Sequence, residues 1–188
     1  LNLINDVLDM SKIEAGKVSL VKNEFNLSEL INNLLAMFQA QIKEHEHELQ
    51  VHIHHIQHEN VIGDSLRLQQ VFVNIMSNAI KYTPNGGKIQ ISVTEMQEGY
   101  SDKVGAYEFI FEDNGLGMSE AFLGKLFEPF SRVEDERIHK IQGTGLGMAI
   151  TKNIIEMMNG EIHVESKLGV GSKFIVTIFL EFQNEVEL

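Results

Sequence analysis

Gly143-Thr144-Gly145-Leu146-Gly147 runs straight into Met148-Ala149-Ile150, in a segment that reads as a helix to about Met158 and is stopped by Asn159-Gly160. Glycines that bare a helix N-terminus leave its backbone N–H groups facing whatever lies in front of it. That makes a phosphate cradle that needs little positive charge. The same stretch also reads as a plain loop-to-helix turn. Two further clusters, Asp113-Asn114-Gly115-Leu116-Gly117 and Gly169-Val170-Gly171, follow or join strand-like segments. No G-x-x-x-x-G-K-[ST] occurs, and no G-x-G-x-x-G joins a first strand to a helix. The P-loop and the dinucleotide fold are therefore excluded.

The rest of the chain constrains the partner. It has 188 residues, 43% of them hydrophobic, enough for one domain with a real core. Its net charge is −12, which disfavours nucleic acid and anionic lipid. Any phosphate must be held by local geometry. Cysteine is absent, so disulfides, thiolate metal sites and cysteine nucleophiles are excluded. The longest apolar run, Leu34 to Phe38, is too short to span a bilayer.

Periodicity supplies the elements. Residues 1–15 form a helix with two apolar faces (3, 7, 10 and 1, 4, 8), as in a bundle, ended by Gly16. Strands are expected at 18–25, 48–54, 88–95, 107–112, 161–166 and 173–182. Helices are expected from Ser28 (as N-cap) to about Glu44, over 65–82, briefly from Ser119, and over about 146–158. Residues 127–145 show no periodicity. This order implies an α+β two-layer sandwich, with a mixed, largely antiparallel sheet and its helices on one face. On helix 65–82, Leu68, Val71, Phe72, Ile75 and Ala79 share an arc of about 100°. Arg67, Gln70, Asn74, Asn78 and Lys81 form an adjacent polar stripe. Asparagine is a poor helix former, yet its neutral oxygen can ligate Mg²⁺ without adding charge beside a polyphosphate. The stripe reads equally as the wet face of the helix.

Taken together, these motifs resemble the catalytic, ATP-binding domain of a sensor histidine kinase, within the GHKL superfamily that includes gyrase, Hsp90 and MutL. Asn74-Ile-Met-Ser-Asn78-Ala-Ile-Lys81-Tyr82 resembles the N box and Asp113-Asn-Gly115-Leu-Gly117 the first glycine box. Phe127-Glu-Pro-Phe130 resembles the F box. Gly143-Thr-Gly145-Leu-Gly147 and Gly169-Val-Gly171-Ser172 resemble the second and third glycine boxes. Residues 1–16 are similar to the end of the second helix of a dimerisation and phosphoacceptor domain. That leaves 17–184 as the ATP-binding domain and 185–188 as a tail, in a style that resembles hybrid kinases.

The resemblance implies ATP and Mg²⁺ as ligands. It implies that Asp113 accepts the adenine amino group, with Gly115 and Gly117 admitting the backbone to the base and the Ser172 hydroxyl nearby. Asn78 is implied to hold Mg²⁺, Lys81 to contact phosphate, and Tyr82 to pack on the nucleotide. Gly143, Thr144, Gly145, Leu146 and Gly147 would cap the phosphates. Asn74, Met118 and Phe130 complete the implied nucleotide contacts. Residues from about Phe127 to Gly143 would form a lid whose Arg132 reaches the γ-phosphate.

Members of the group that hydrolyse ATP, and related serine kinases, carry a Glu four residues before the Mg²⁺-binding Asn. Here that position is Asn74, and an amide cannot take a proton at neutral pH. An imidazole acceptor already has a lone pair, so positioning and charge neutralisation suffice. The expectation is a protein-histidine kinase. The alternatives are a serine kinase of the anti-sigma type, a gyrase- or Hsp90-like ATPase, or a regulatory nucleotide-binding domain without catalysis. None of His45, His47, His52, His54, His55, His58, His139 and His163 has the acceptor-motif context of an acidic neighbour followed by Arg and Pro. The acceptor helix is thus expected on a separate segment. His52 and His54 share a strand face, but no compact carboxylate set completes four metal ligands. A receiver domain is the expected downstream partner, with no nucleic-acid or membrane contact by this segment. The expected location is cytoplasmic, within a parent that can be membrane-anchored.

Overall fold

The computed structural model describes residues 2–98, 101–131 and 143–184. In chain order the elements are α1 (Asn2–Glu14), β1 (Asn23–Asn26), α2 (Leu27–Glu44), β2 (Glu48–His54), β3 (Asn60–Gly63), α3 (Ser65–Tyr82), β4 (Lys88–Glu95), β5 (Val104–Asp113), α4 (Glu120–Leu123), α5 (Gly147–Met157), β6 (Glu161–Lys167) and β7 (Gly171–Phe182). The sheet runs β1-β3-β7-β5-β4-β2, and β6 pairs with β7. Among the described strands only β2 and β4 pair in parallel; the other ladders are antiparallel. The mixed two-layer arrangement read from the sequence is the one observed.

One face of the sheet carries the core. Ile89, Ile91 and Val93 of β4, Tyr107, Phe109 and Phe111 of β5, and Phe174, Val176, Ile178 and Leu180 of β7 alternate inward and are buried. They meet Leu30, Leu34 and Phe38 of α2, Leu68, Val71, Phe72, Ile75 and Met76 of α3, and Ile150, Ile154 and Ile155 of α5. The Phe72 ring sits 4.6 Å from Phe109 and 5.4 Å from Phe111, tilted against both. Each such buried side chain stabilises the fold by roughly 1.5–3 kcal/mol.

The differences from the periodicity have local causes. The first strand begins at Asn23 rather than 18, because β3 is only four residues long and offers partners only from Asn23↔Gly63 to Asn26↔Asn60. The Val21 N–H instead donates to Asp64 Oδ2 (2.9 Å), whose Oδ1 caps α3 at the Arg67 N–H (3.0 Å). The N-cap of α2 is Asn26, which accepts from the Glu29 N–H at 3.0 Å; the Ser28 hydroxyl turns to the Glu59 carboxylate. β3, with only Val61 and Ile62 as apolar residues, is too short to show a period. β5 starts three residues earlier than expected because β7 continues alongside it, pairing Val104 with Glu181.

At the far end of β4, buried Glu95 clasps the segment between β2 and β3. It accepts the Gln57 and His58 N–H groups at 2.7 and 2.8 Å and the His58 ring nitrogen Nδ1 at 2.7 Å. The Tyr107 hydroxyl donates to the His58 carbonyl, and the His58 ring stacks on Phe182. Burial pushes the Glu95 carboxyl up, but the His58 ring and the two amides outweigh it and hold it below the usual carboxylate range. A depressed folded value means that the stabilisation is present above the unfolded value and fades as pH falls through the folded one. In denaturant unfolding, Glu95→Gln should therefore destabilise by about 1–3 kcal/mol at pH 7, with the gap to the parent chain narrowing in acid below about pH 4.

Candidate nucleotide site

The first glycine turn is built where β5 ends. Asp113 pairs in register with Ser172 at the start of β7. Asp113 Oδ1 accepts the Gly115 N–H at 2.9 Å, and a backbone hydrogen bond from Ser172 also reaches this carboxyl. Burial nevertheless dominates and, with the neighbouring Glu112 charge, pushes Asp113 up to about 6, against the pull of those two amides. The turn is closed by the Leu116 N–H donating to the Tyr82 carbonyl at 3.0 Å and the Gly169 N–H donating to the Leu116 carbonyl at 2.7 Å. Gly117 has φ +66°, and a Cβ there would overlap the Lys167 carbonyl. The glycine is thus required by the packing of the turn against the β6–β7 hairpin.

Ser166 organises the other wall. It accepts the Met118 N–H at 2.8 Å, donates to the Gly171 carbonyl at 3.0 Å, and lies 2.9 Å from the Ser172 hydroxyl. With its one proton committed to Gly171, Ser166 is the acceptor toward Ser172. Ser172 keeps lone pairs for a ligand or a water. Asp113, Gly115, Gly117, Met118, Tyr82 and Ser172 are therefore brought together around one turn.

The second group gathers at the start of α5. Asn74 Nδ2 donates to the Gly147 carbonyl at 3.2 Å and the Thr151 hydroxyl at 3.1 Å, tying α3 to α5. Asn78 follows one turn later, partly buried, and Lys81 is exposed beyond it. Gly145, at φ +75°, packs against the Phe130 backbone and accepts the Phe130 N–H at 2.9 Å. The F-box end and the second glycine loop are thus one unit. Thr144 Oγ1 accepts the Leu146 N–H at 3.2 Å, and Leu146 is buried ahead of Gly147. Gly143 is exposed. Arg132 and most of the expected lid lie outside the described residues. Of the polar stripe on α3, Arg67 and Gln70 face Asp9 of α1 rather than the second glycine loop.

A family model described as histidine kinase-, DNA gyrase B- and HSP90-like ATPase matches residues 63–182. The chain belongs to this family. It is 38% identical over 178 residues to a hybrid signal transduction histidine kinase B of Dictyostelium discoideum, covering 95% of this chain and 9% of that protein. It is 37% identical over 180 residues to the sensor histidine kinase GacS of Pseudomonas protegens, covering 96% of this chain and 19% of that protein. The chain thus spans under a quarter of the length of these curated relatives. Among solved structures it resembles the catalytic domain of histidine kinase ThkA, with a TM-score of 0.68 and 29% identity, over 84% of this chain and 97% of that one. Its fold also matches full-length ShkA in complex with AMPPNP, with a TM-score of 0.83 and 22% identity, over 98% of this chain and 36% of that one.

Within this histidine kinase-like ATPase domain, sequence reasoning singled out the motif residues and passed over their supports. Ser166 sits in an ordinary strand alternation, and Thr151 on an ordinary helix face. Asn114 accepts the Lys88 N–H at 2.7 Å and was hidden between named motif residues. None of the three had a spacing signal. Among the described residues, no group of three or more His, Asp or Glu side chains could hold a metal. An amide oxygen such as that of Asn78 could serve Mg²⁺, an ion that keeps several waters and takes phosphate oxygens.

A raised folded value makes ionised Asp113 a burden on the folded state, absent in acid and fully felt above about pH 6. Asp113→Asn keeps an oxygen for the Gly115 amide and removes the charge. Thermal melts at pH 7.5 should show the variant more stable by about 4 °C, with the difference closing as pH falls toward 4.

Proposed function

We propose that this chain binds Mg-ATP and donates the γ-phosphoryl group to a histidine on a phosphoacceptor helix, as the catalytic domain of a sensor histidine kinase. The observation that carries the reading is Asn74. It stands where a hydrolase of this superfamily needs a carboxylate, and its amide nitrogen is committed to Gly147 and Thr151. With an amide there, water is not activated. An imidazole nitrogen needs no proton removed before it attacks the γ-phosphorus, and the bond to the β-phosphate oxygen breaks as ADP leaves.

In this reading Asp113 accepts the adenine amino group, with Met118 and Ser172 beside the base and Tyr82 packed on the nucleotide. The N–H groups from Gly143 to Gly147 face the phosphates, with Phe130 holding that loop through Gly145. Lys81 neutralises phosphate charge, and Arg132 reaches the γ-phosphate from the lid. Asn78 would hold Mg²⁺, which screens the phosphate oxygens. α1 is the end of the dimerisation helix, and a receiver domain takes the phosphoryl group onward. No described helix is long and apolar enough to cross a membrane.

Given labelled ATP, Mg²⁺ and a separate acceptor-helix protein, the chain should place acid-labile phosphate on that protein and essentially none on itself. Stoichiometric labelling of its own histidines would overturn the separation of donor from acceptor. Asp113→Asn presents an NH₂ to the adenine amino group once its oxygen is held by Gly115, and should weaken ADP by at least about tenfold in calorimetry. An unchanged affinity would remove the base from this wall. Asn78→Asp should lower transfer. Asn74→Glu should raise slow hydrolysis while destabilising the domain by about 1–2 kcal/mol, because the tie to α5 is lost.

A further inference from the structure

α1 presents to the domain a stripe distinct from its bundle faces. Asp6, Asp9, Met10 and Ile13, spaced i, i+3, i+4, i+7, are its partly buried residues, while Leu3, Ile4, Val7 and Leu8 are exposed. Met10 and Ile13 pack on the core. Asp9 Oδ2 accepts Gln70 Nε2 at 3.0 Å, and its other oxygen faces the Arg67 guanidinium at 3.9 Å. About one turn away, Asp6 Oδ2 accepts the Thr144 hydroxyl at 2.7 Å. That same hydroxyl oxygen accepts the Leu146 N–H.

Two consequences meet at this point. A carboxylate stands where the first N–H groups of α5 favour negative charge. One of the N–H groups expected to face phosphate, that of Leu146, is already satisfied through Thr144. We propose that Asp6 is an internal stand-in for phosphate, so that docked α1 and the outer phosphates of a nucleotide compete for the Thr144–Leu146 end of α5. This rests on the reading of that end as the phosphate cradle. Like charges a few ångströms apart near the surface repel enough to change affinity several-fold. The linkage is reciprocal: phosphate loosens α1 by the same factor by which docked α1 weakens phosphate. A movement of α1 is then read directly as a change in nucleotide affinity. Asp6 acts through Thr144 and is a positioning residue, not a catalytic one.

The test uses the 188-residue chain and its Asp6→Asn variant, titrated by calorimetry with a non-hydrolysable ATP analogue and with adenosine. At low salt the variant should bind the analogue about three- to tenfold tighter, with the gain shrinking as salt is added and adenosine unaffected. Saturating the parent chain with the analogue, but not with adenosine, should also speed amide exchange across residues 6–14. An Asp6→Asn chain that binds the analogue no tighter, or an α1 equally protected with and without it, overturns the competition while leaving the nucleotide site intact. Failure of both chains to bind either ligand overturns the site itself and this inference with it.

Discussion

The site depends on one side chain that joins two helices. Asn74 gives both protons of its amide to α5, one to the Gly147 carbonyl and one to Thr151. A carboxylate at this position would set a negative charge against that carbonyl and offer no donor. The residue that is unfit to activate water is thus well suited to hold the second glycine loop against α3. Asn78 and Lys81 follow from the same helix at the spacing that α-helical geometry imposes. Chemistry and scaffolding are decided together by the choice of an amide.

The Asp113 turn is held in a comparable way. Asp113 is destabilised as an anion by its burial, and the sheet register that pairs it with Ser172 holds it there. Strain of this kind is carried by the large apolar core beneath, not by the turn itself. In the proposed reading the acidic net charge of the chain is no obstacle to a polyanionic ligand, because the attraction would come from oriented backbone N–H groups.

Much of this architecture was legible in the sequence. α3 was read to its boundaries because its apolar arc is strong; β2 and β4 were read from clean alternation. Gly115, Gly117, Gly145 and Gly171 were legible because their positions leave no room for a side chain. β3 was missed because two apolar residues carry no period, and the start of β1 was misplaced because its length is set by that hidden partner. The supports of the site, Ser166, Thr151 and Asn114, are ordinary residues in ordinary elements, and only tertiary contact makes them specific. α1 shows what an apolar period leaves out. Its periodicity pointed to a bundle, and the stripe that meets this domain runs through Asp6 and Asp9, which a hydrophobic pattern ignores.

β7 is the last of the described strands, yet it lies inside the sheet. It pairs with β5 along nearly its whole length, with β6 on its other side, and at its far end with β3. During synthesis, β5 must therefore wait with an open edge, and β1 with β3 must wait as a detached ribbon, until residues 171–182 leave the ribosome. Sheets closed by so distant a partner fold slowly, and an uncovered strand edge invites pairing with other chains. A break or premature stop before Gly171 would leave an aggregation-prone half sheet rather than a shortened domain, because Ser172, the partner of Asp113, would be lost along with the strand that closes the fold.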